Sequence, residues 1–535
     1  MTSHTDNDAH FQSPPNHPLH DEAWDVGYDD IPYAEEVPND SPKRGYTLVS
    51  WIVILLLVGG LVVLQAISRN TRSLSAKATN PVQDMTAKAI VGASTFTDTS
   101  GENQLQALES MQQGCFRDRM SFAIYTGEIL GPESALEELE TTQQRWEEEN
   151  HELSSDEVRV VKTLDRLYTS YKVGHLRAPS VSQRDRAFLI RELGWAGELA
   201  LVPERTEPPS GPEAAAGGLG RVVAETMTPN EQARKDVLRP ATYTFLMFAG
   251  TVTGIVLLVL LGMVGVLVFV AFLATKLIKM QLTFTRGHAG VYAETFAVWL
   301  LLVGGGIAAR HFVQSVPSLA FGAVATLGSL VALGWPVLRG VPWSQVRQDI
   351  GLHFGKNPFL EGLIGIIGYP LLLPLVCVGF VVMNLFLLAG DAIRIPVAQF
   401  NGHGPGLEGA HPIVGEVASS ANFWDYALIF FLASVVAPLV EEIMFRGVLY
   451  RHLRELSDWW GRVLSVVASA LCVSFVFAIV HPQALVAVPL LMSLAFGFAV
   501  MREWRGSLFP AMVAHGLNNA LVLTLLIVAL KVSGS

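Results

Sequence analysis

The sequence predicts an all-α, polytopic membrane bundle of about nine spans, with a mainly helical extramembrane insertion after the first span. Two observations predict it. Half of the 535 residues are hydrophobic and only 16% are charged, with a mean hydropathy of +0.38, whereas about a quarter of a soluble domain is charged. Apolar runs of spanning length also recur along the chain. A membrane helix takes about 20 mostly apolar residues. Runs near 47–67, 243–275, 290–309, 318–338, 359–389, 424–445, 461–480, 484–501 and 508–530 meet or approach that length. The eighth is short, and an eight-span arrangement results if one run is re-entrant.

The chain divides accordingly. Residues 1–46 form an acidic tail, in which Asp6, Asp8, Asp21, Glu22, Asp25, Asp29, Asp30, Glu35, Glu36 and Asp40 precede any lysine or arginine. Such a segment buries too little apolar surface to fold and is expected to be disordered. Residues 47–67 are a membrane anchor, too far from the start for an ordinary cleavable signal. Residues 68–240 form the polar insertion. Within it, Ser154-Ser155-Asp156-Glu157 reads as a helix restart, and the Pro- and Gly-containing stretch from Pro203 to Gly220 reads as a flexible tether. Residues 241–420 carry the second to fifth spans and an outer loop, and residues 421–531 the last spans.

Lysine and arginine placement orients the bundle. Lys43 and Arg44 precede the first span. Lys276, Lys279 and Arg286 follow the second, and Arg339 and Arg347 the fourth. Arg446, Arg451, Arg454 and Arg462 separate the sixth from the seventh, and Arg502 and Arg505 the eighth from the ninth. With nine spans these clusters share one side, expected to be cytoplasmic together with the N-terminus, in the cell membrane. Arg310 is the exception.

The chemistry concentrates in the last third. Glu441-Glu442-Ile-Met-Phe-Arg446 ends the apolar run that starts at Tyr426. An ionisable residue inside a membrane segment costs about 2.5–3.5 kcal/mol on insertion scales and marks a functional site by default. Glu442 and Arg446 are four residues apart with the acid first, so they share a helix face and pair. Glu441 points elsewhere and stays free to take a proton. His481 follows Phe477 by four residues, and His515 precedes Asn519 by four, with Asn518 on an adjoining face. Taken singly, each histidine and asparagine is as readily interfacial or interhelical hydrogen-bond glue. Taken together, a Glu–His pair activates a water while a second His and an Asn donate to a developing oxyanion. That is a kit for peptide hydrolysis without a covalent nucleophile.

Glu-Glu-x-x-x-Arg, then Phe-x-x-x-His, then His-x-x-x-Asn resembles the motif series of the CAAX prenyl protease 2 family. The members are also called type II CAAX endopeptidases or CPBP intramembrane proteases, and include lysostaphin-resistance-protein-A-like proteins. The resemblance covers about residues 422–530. It implies a helical membrane bundle open towards the cytosol, with Glu441 and His481 activating the water and His515 and Asn519 forming the oxyanion hole. Glu442 and Arg446 would support the site, alongside Phe477 and Asn518. It also implies a glutamate-type, metal-free mechanism with no cofactor. The alternative is a zinc ion held by Glu441, His481 and His515, although no His-Glu-x-x-His helix is present.

The expected activity is therefore that of a membrane endopeptidase acting on a membrane-associated protein or peptide within the lipid bilayer. The polar insertion 68–240 is expected to serve a protein partner. A non-enzymatic membrane scaffold, or an immunity-type protein using the same fold, is the alternative. A transporter ranks last, because no inverted repeat is visible. No basic patch points to nucleic acid, and Cys115, Cys377 and Cys472 have neither metal-type spacing nor a disulfide framework.

Overall fold

The computed structural model describes residues 45–73, 81–96, 104–148, 152–173, 181–202, 229–310, 312–313, 315–355, 357–392, 417, 422–481 and 485–534. The acidic tail up to Arg44, the tether from Pro203 to Gly220, most of the loop before residue 421 and Pro482 lie outside these. The described residues contain helices and no strand. Eight of the helices are long and apolar enough to cross a membrane, and the chain is an integral membrane protein.

The polar insertion folds as a helical unit. Its helices are α2 (Pro81–Ser94), α3 (Phe116–Leu130), α4 (Pro132–Glu148), α5 (Ser155–Lys172), α6 (Gln183–Leu193) and α7 (Trp195–Ala200). Met120, Ala123, Ile124, Leu139, Leu164 and Leu189 form its buried centre. The restart at Ser154 is a capping box: the Ser154 hydroxyl accepts from the Glu157 N–H at 3.3 Å, and Glu157 accepts from the Ser154 N–H at 2.8 Å. The chain then returns as α8, a continuous helix over Pro229–Ala274. Its first turns belong to the same unit. Trp195 Nε1 donates to Val237 O at 2.8 Å, and Arg234 pairs with Glu128 and donates to Val202 O at 2.6 Å.

The remaining helices build the bundle. The first span, α1 (Thr47–Ser73), packs along α9 (Ala289–Arg310). The backbones at Gly45 and Gly290 approach so closely that a Cβ on Gly45 would lie 2.3 Å from the Gly290 carbonyl carbon. Trp51 Nε1 donates to His452 Nε2 at 3.0 Å. The first span is thus a wall of the bundle as well as an anchor. After α9 come α10 (Ser318–Gly328), α11 (Trp343–Ile350) and α12 (Pro358–Ala392). The last third is a nearly unbroken helical rod comprising α13 (Phe423–Phe431), α14 (Ala437–Glu441) and α15 (Tyr450–Ser457). It is followed by α16 (Arg462–Val480), α17 (Val488–Arg505) and α18 (Phe509–Gly534). α12 packs against α8, α17 and α18, and α16 packs against α17.

Two expectations change. The run at 484–501 becomes α17, whose last turn carries Arg502, Glu503 and Arg505, so it is not among the eight helices of spanning character. The sixth run does not stop as a helix at Glu441: the helical segment that carries it covers Phe423–Trp460, well past the end of the apolar run. The reason is that the charges beyond Glu441 are buried and paired inside the fold. Arg451 bonds Glu455 at 2.7 Å and lies 3.4 Å from Asp349; Arg454 bonds Glu503 at 3.1 Å; Tyr450 donates to Glu503 at 3.0 Å. Arg446, Arg451, Arg454 and Arg502 are therefore structural, and the exposed basic residues that bear on orientation are Lys276, Lys279, Arg286, Arg347 and Arg462.

Removing one partner of a buried ion pair costs about 3–5 kcal/mol. Glu503→Gln is expected to lower the thermal unfolding midpoint of the detergent-purified protein. A Glu503→Gln/Arg454→Met double variant should recover part of the loss.

Candidate active site

The rod that carries Glu441 is irregular on both sides of it. Leu432–Val436 and Glu442–Leu449 are π-helical, an uncommon geometry found often at functional sites. Proline explains the first segment. The Ala437 N–H bonds Leu432 O, five residues back, and the next position, Pro438, has no N–H to offer. Ala433 O is therefore left without a donor from its own helix. Asn519 Nδ2, on α18, supplies one at 2.9 Å. α18 comes this close because of Gly516, where a Cβ would lie 2.5 Å from Ser434 O.

Glu442 and Arg446 are fully buried and bonded at 2.8 Å, as their spacing predicts. Arg446 also donates to Ala495 O at 3.2 Å and lies 4.5 Å over the Phe477 ring and 5.3 Å over that of Phe498. Glu442 has a second partner that its spacing does not reveal: His515 Nδ1 stands 2.8 Å from the same Oε1. A carboxylate oxygen only accepts, so Nδ1 carries the proton and Nε2 is turned outward. His481 is set the same way, its Nδ1 donating to Phe477 O at 2.5 Å.

Glu441 lies between the two outward nitrogens. Its Oε2 is 3.7 Å from His481 Nε2 and 3.7 Å from His515 Nε2, and its side chain keeps 23% exposure while that of Glu442 keeps none. At 3.7 Å neither contact is a direct hydrogen bond, and polar groups at that separation suit a bridging water. Phe477 packs 4.1 Å from the His481 ring, and Phe498 stacks on His515 at 4.9 Å. Glu441, His481 and His515 thus converge from three helical segments. Asn519 is one turn beyond His515 on α18, tied to Asn518, whose Nδ2 donates to Asn519 Oδ1 at 3.1 Å. Among the described residues, no group of three or more His, Cys, Asp or Glu side chains is arranged as a metal site.

With this geometry in place, comparison with known proteins identifies the segment. Residues 423–521 match the family described as type II CAAX prenyl endopeptidase Rce1-like. The chain carries an Rce1-like domain. That domain belongs to a family of CAAX-type intramembrane proteases and contains all eight residues singled out above; no curated protein and no solved structure matches the chain. Sequence reasoning missed two elements of the Rce1-like domain, Phe498 and the Ala433 carbonyl. Phe498 sits in a uniformly apolar run, where nothing separates a wall of the site from ordinary core. A backbone carbonyl has no residue letter of its own, although Pro438 was the available sign that one nearby would lack a donor.

Gly516→Val is expected to force α18 away from Ser434, because overpacking costs about 1–3 kcal/mol. The check is a lower unfolding midpoint than that of a Gly→Val change at Gly59, where a Cβ would meet nothing within 4 Å.

Proposed function

We propose that the protein is an intramembrane endopeptidase that hydrolyses a peptide bond of a membrane-associated substrate. A water held by Glu441 and His481 attacks the scissile carbonyl, and Glu441 takes its proton. Negative charge develops on the carbonyl oxygen, where Asn519 Nδ2 is a donor and His515 Nε2 is a second one when both of its ring nitrogens carry protons. Collapse of the tetrahedral intermediate breaks the C–N bond. The proton held by Glu441 passes to the leaving amine, giving a free amine and a carboxylic acid that ionises to solvent. The observation that carries this reading is the placement of one partly exposed carboxylate oxygen 3.7 Å from two imidazole nitrogens. Each imidazole is held in the required orientation by a bond at its other nitrogen. Glu442 and Arg446 support the site: the buried pair fixes His515, and Arg446 lies against Phe477 and Phe498. The excess of exposed lysine and arginine at one end of the bundle supports a cytoplasmic N-terminus in a cell membrane.

The reading is tested with purified full-length protein and two internally quenched peptides, one ending in a farnesylated CAAX sequence and one an unmodified apolar peptide. General acid–base catalysis contributes about 10²–10⁴-fold, so Glu441→Gln is expected to lower kcat by at least about a hundredfold with its unfolding midpoint retained. Undiminished cleavage by Glu441→Gln would sink the assignment. A chelator is expected to leave the rate unchanged, and elemental analysis to find no stoichiometric zinc. Loss of rate with the chelator, together with zinc at one per chain, would move the mechanism to the zinc alternative.

A further inference from the structure

A hydrogen-bond chain runs from α12 into the oxyanion side of the site. Tyr369 OH donates to Asn518 Oδ1 at 3.2 Å, Asn518 Nδ2 donates to Asn519 Oδ1 at 3.1 Å, and Asn519 Nδ2 donates to Ala433 O at 2.9 Å. Its direction is forced from one end. Ala433 O can only accept, and its own helix offers it no donor, so the Asn519 amide must turn its nitrogen towards it. The Asn519 oxygen then faces Asn518, which must present its nitrogen. The Asn518 oxygen in turn faces Tyr369, whose hydroxyl must donate. Each amide would otherwise be free to rotate by half a turn, exchanging donor for acceptor. One of the two Asn519 N–H bonds is spent on Ala433 O, and the other is uncommitted among the described residues.

We propose that Tyr369, acting through Asn518, is a positioning residue that steadies the Asn518–Asn519 pair in the orientation Ala433 O selects, with the Asn519 nitrogen towards the reacting carbonyl. The proposal rests on the reading of Asn519 as an oxyanion donor. A flipped Asn519 would present an oxygen to the developing oxyanion and repel it. Tyr369 suits the task because its own place is rigid. It is buried, and the next residue is Pro370, one of two prolines inside α12. Pro374 removes the N–H that Pro370 O would accept, and that carbonyl instead faces Gly262 of α8, where a Cβ would lie 2.0 Å away. α8 therefore seats directly on the turn that carries Tyr369. None of this is visible from the three motifs, because Tyr369 lies about 150 residues upstream of Asn518 in an otherwise apolar run.

The test compares wild type, Tyr369→Phe, Asn519→Ala and the double variant on the same two quenched peptides, in kinetics and in thermal unfolding. Removing one oxyanion donor costs about 10²–10³ in kcat, and loosening its aim is expected to cost less. Tyr369→Phe should lower kcat about tenfold with KM unchanged, measured below the unfolding transition of every variant so that loss of folded protein does not account for it. In the Asn519→Ala background the same change should do nothing further, because coupled residues are not additive. Unchanged kcat in Tyr369→Phe, or an equal loss in both backgrounds, overturns the proposal. If Asn519→Ala leaves kcat unchanged, or wild type cleaves neither peptide, the oxyanion reading fails on its own. The unfolding midpoints then decide the relay: non-additive shifts in the cycle support it, and additive shifts overturn it.

Discussion

Glu442 is the residue on which the rest of the site depends. A carboxylate with no solvent exposure is tolerable in a membrane bundle only when counter-charge and donors reach it. Two do, from different directions: Arg446, one turn along the same rod, and His515, across the interface from α18. The first contact is local and forms with the helix. The second is not. It fixes the depth and rotation of α18 against the rod, and so fixes where His515 Nε2 points. The neighbouring carboxylate is relieved of all this and keeps partial exposure between the two imidazoles. Two adjacent identical residues thus acquire different work from their surroundings alone.

The backbone takes part as directly as the side chains. Pro438 would break an ordinary helix, and here the rod absorbs it by widening into the π-helical turns at Leu432–Val436 that precede it. Widening leaves the Ala433 carbonyl unpaired, and that carbonyl becomes the anchor for Asn519. Gly516 is what lets α18 approach closely enough to reach it. A bulkier residue there would separate the very helices that the Glu442–His515 bond draws together. The irregularity and the close approach are one solution to a single packing problem.

Much of this was legible in the residues. The helical class follows from apolar runs of spanning length, and the site followed from polar residues inside them at four-residue spacing. What stayed hidden has physical causes. Arg451 and Arg454 read as loop charges because hydropathy counts each charge alone, whereas a buried pair largely cancels within the fold. The bond between Glu442 and His515 joins positions 73 residues apart, and no local spacing encodes it. Tyr369 and Phe498 carry no mark in apolar surroundings, and the role of Ala433 belongs to its carbonyl and not to its side chain. The docking of the first span on α9 rests on Gly45 and Gly290, residues too small to register in any pattern of polarity.

α8 gives the molecule a dimension. Its 46 residues make a helix of about 70 Å at 1.5 Å per residue, with its first turns locked into the polar insertion and a later stretch wedged by Gly262 onto α12. The helix between those two points therefore sets a height and an azimuth, and α2, which packs on both α8 and α18, holds the insertion to them. One residue added there would demand a lift of about 1.5 Å and a swing of about 100° against that packing, while seven would demand roughly 10 Å and almost the original heading. The place of the insertion is counted out in helical turns.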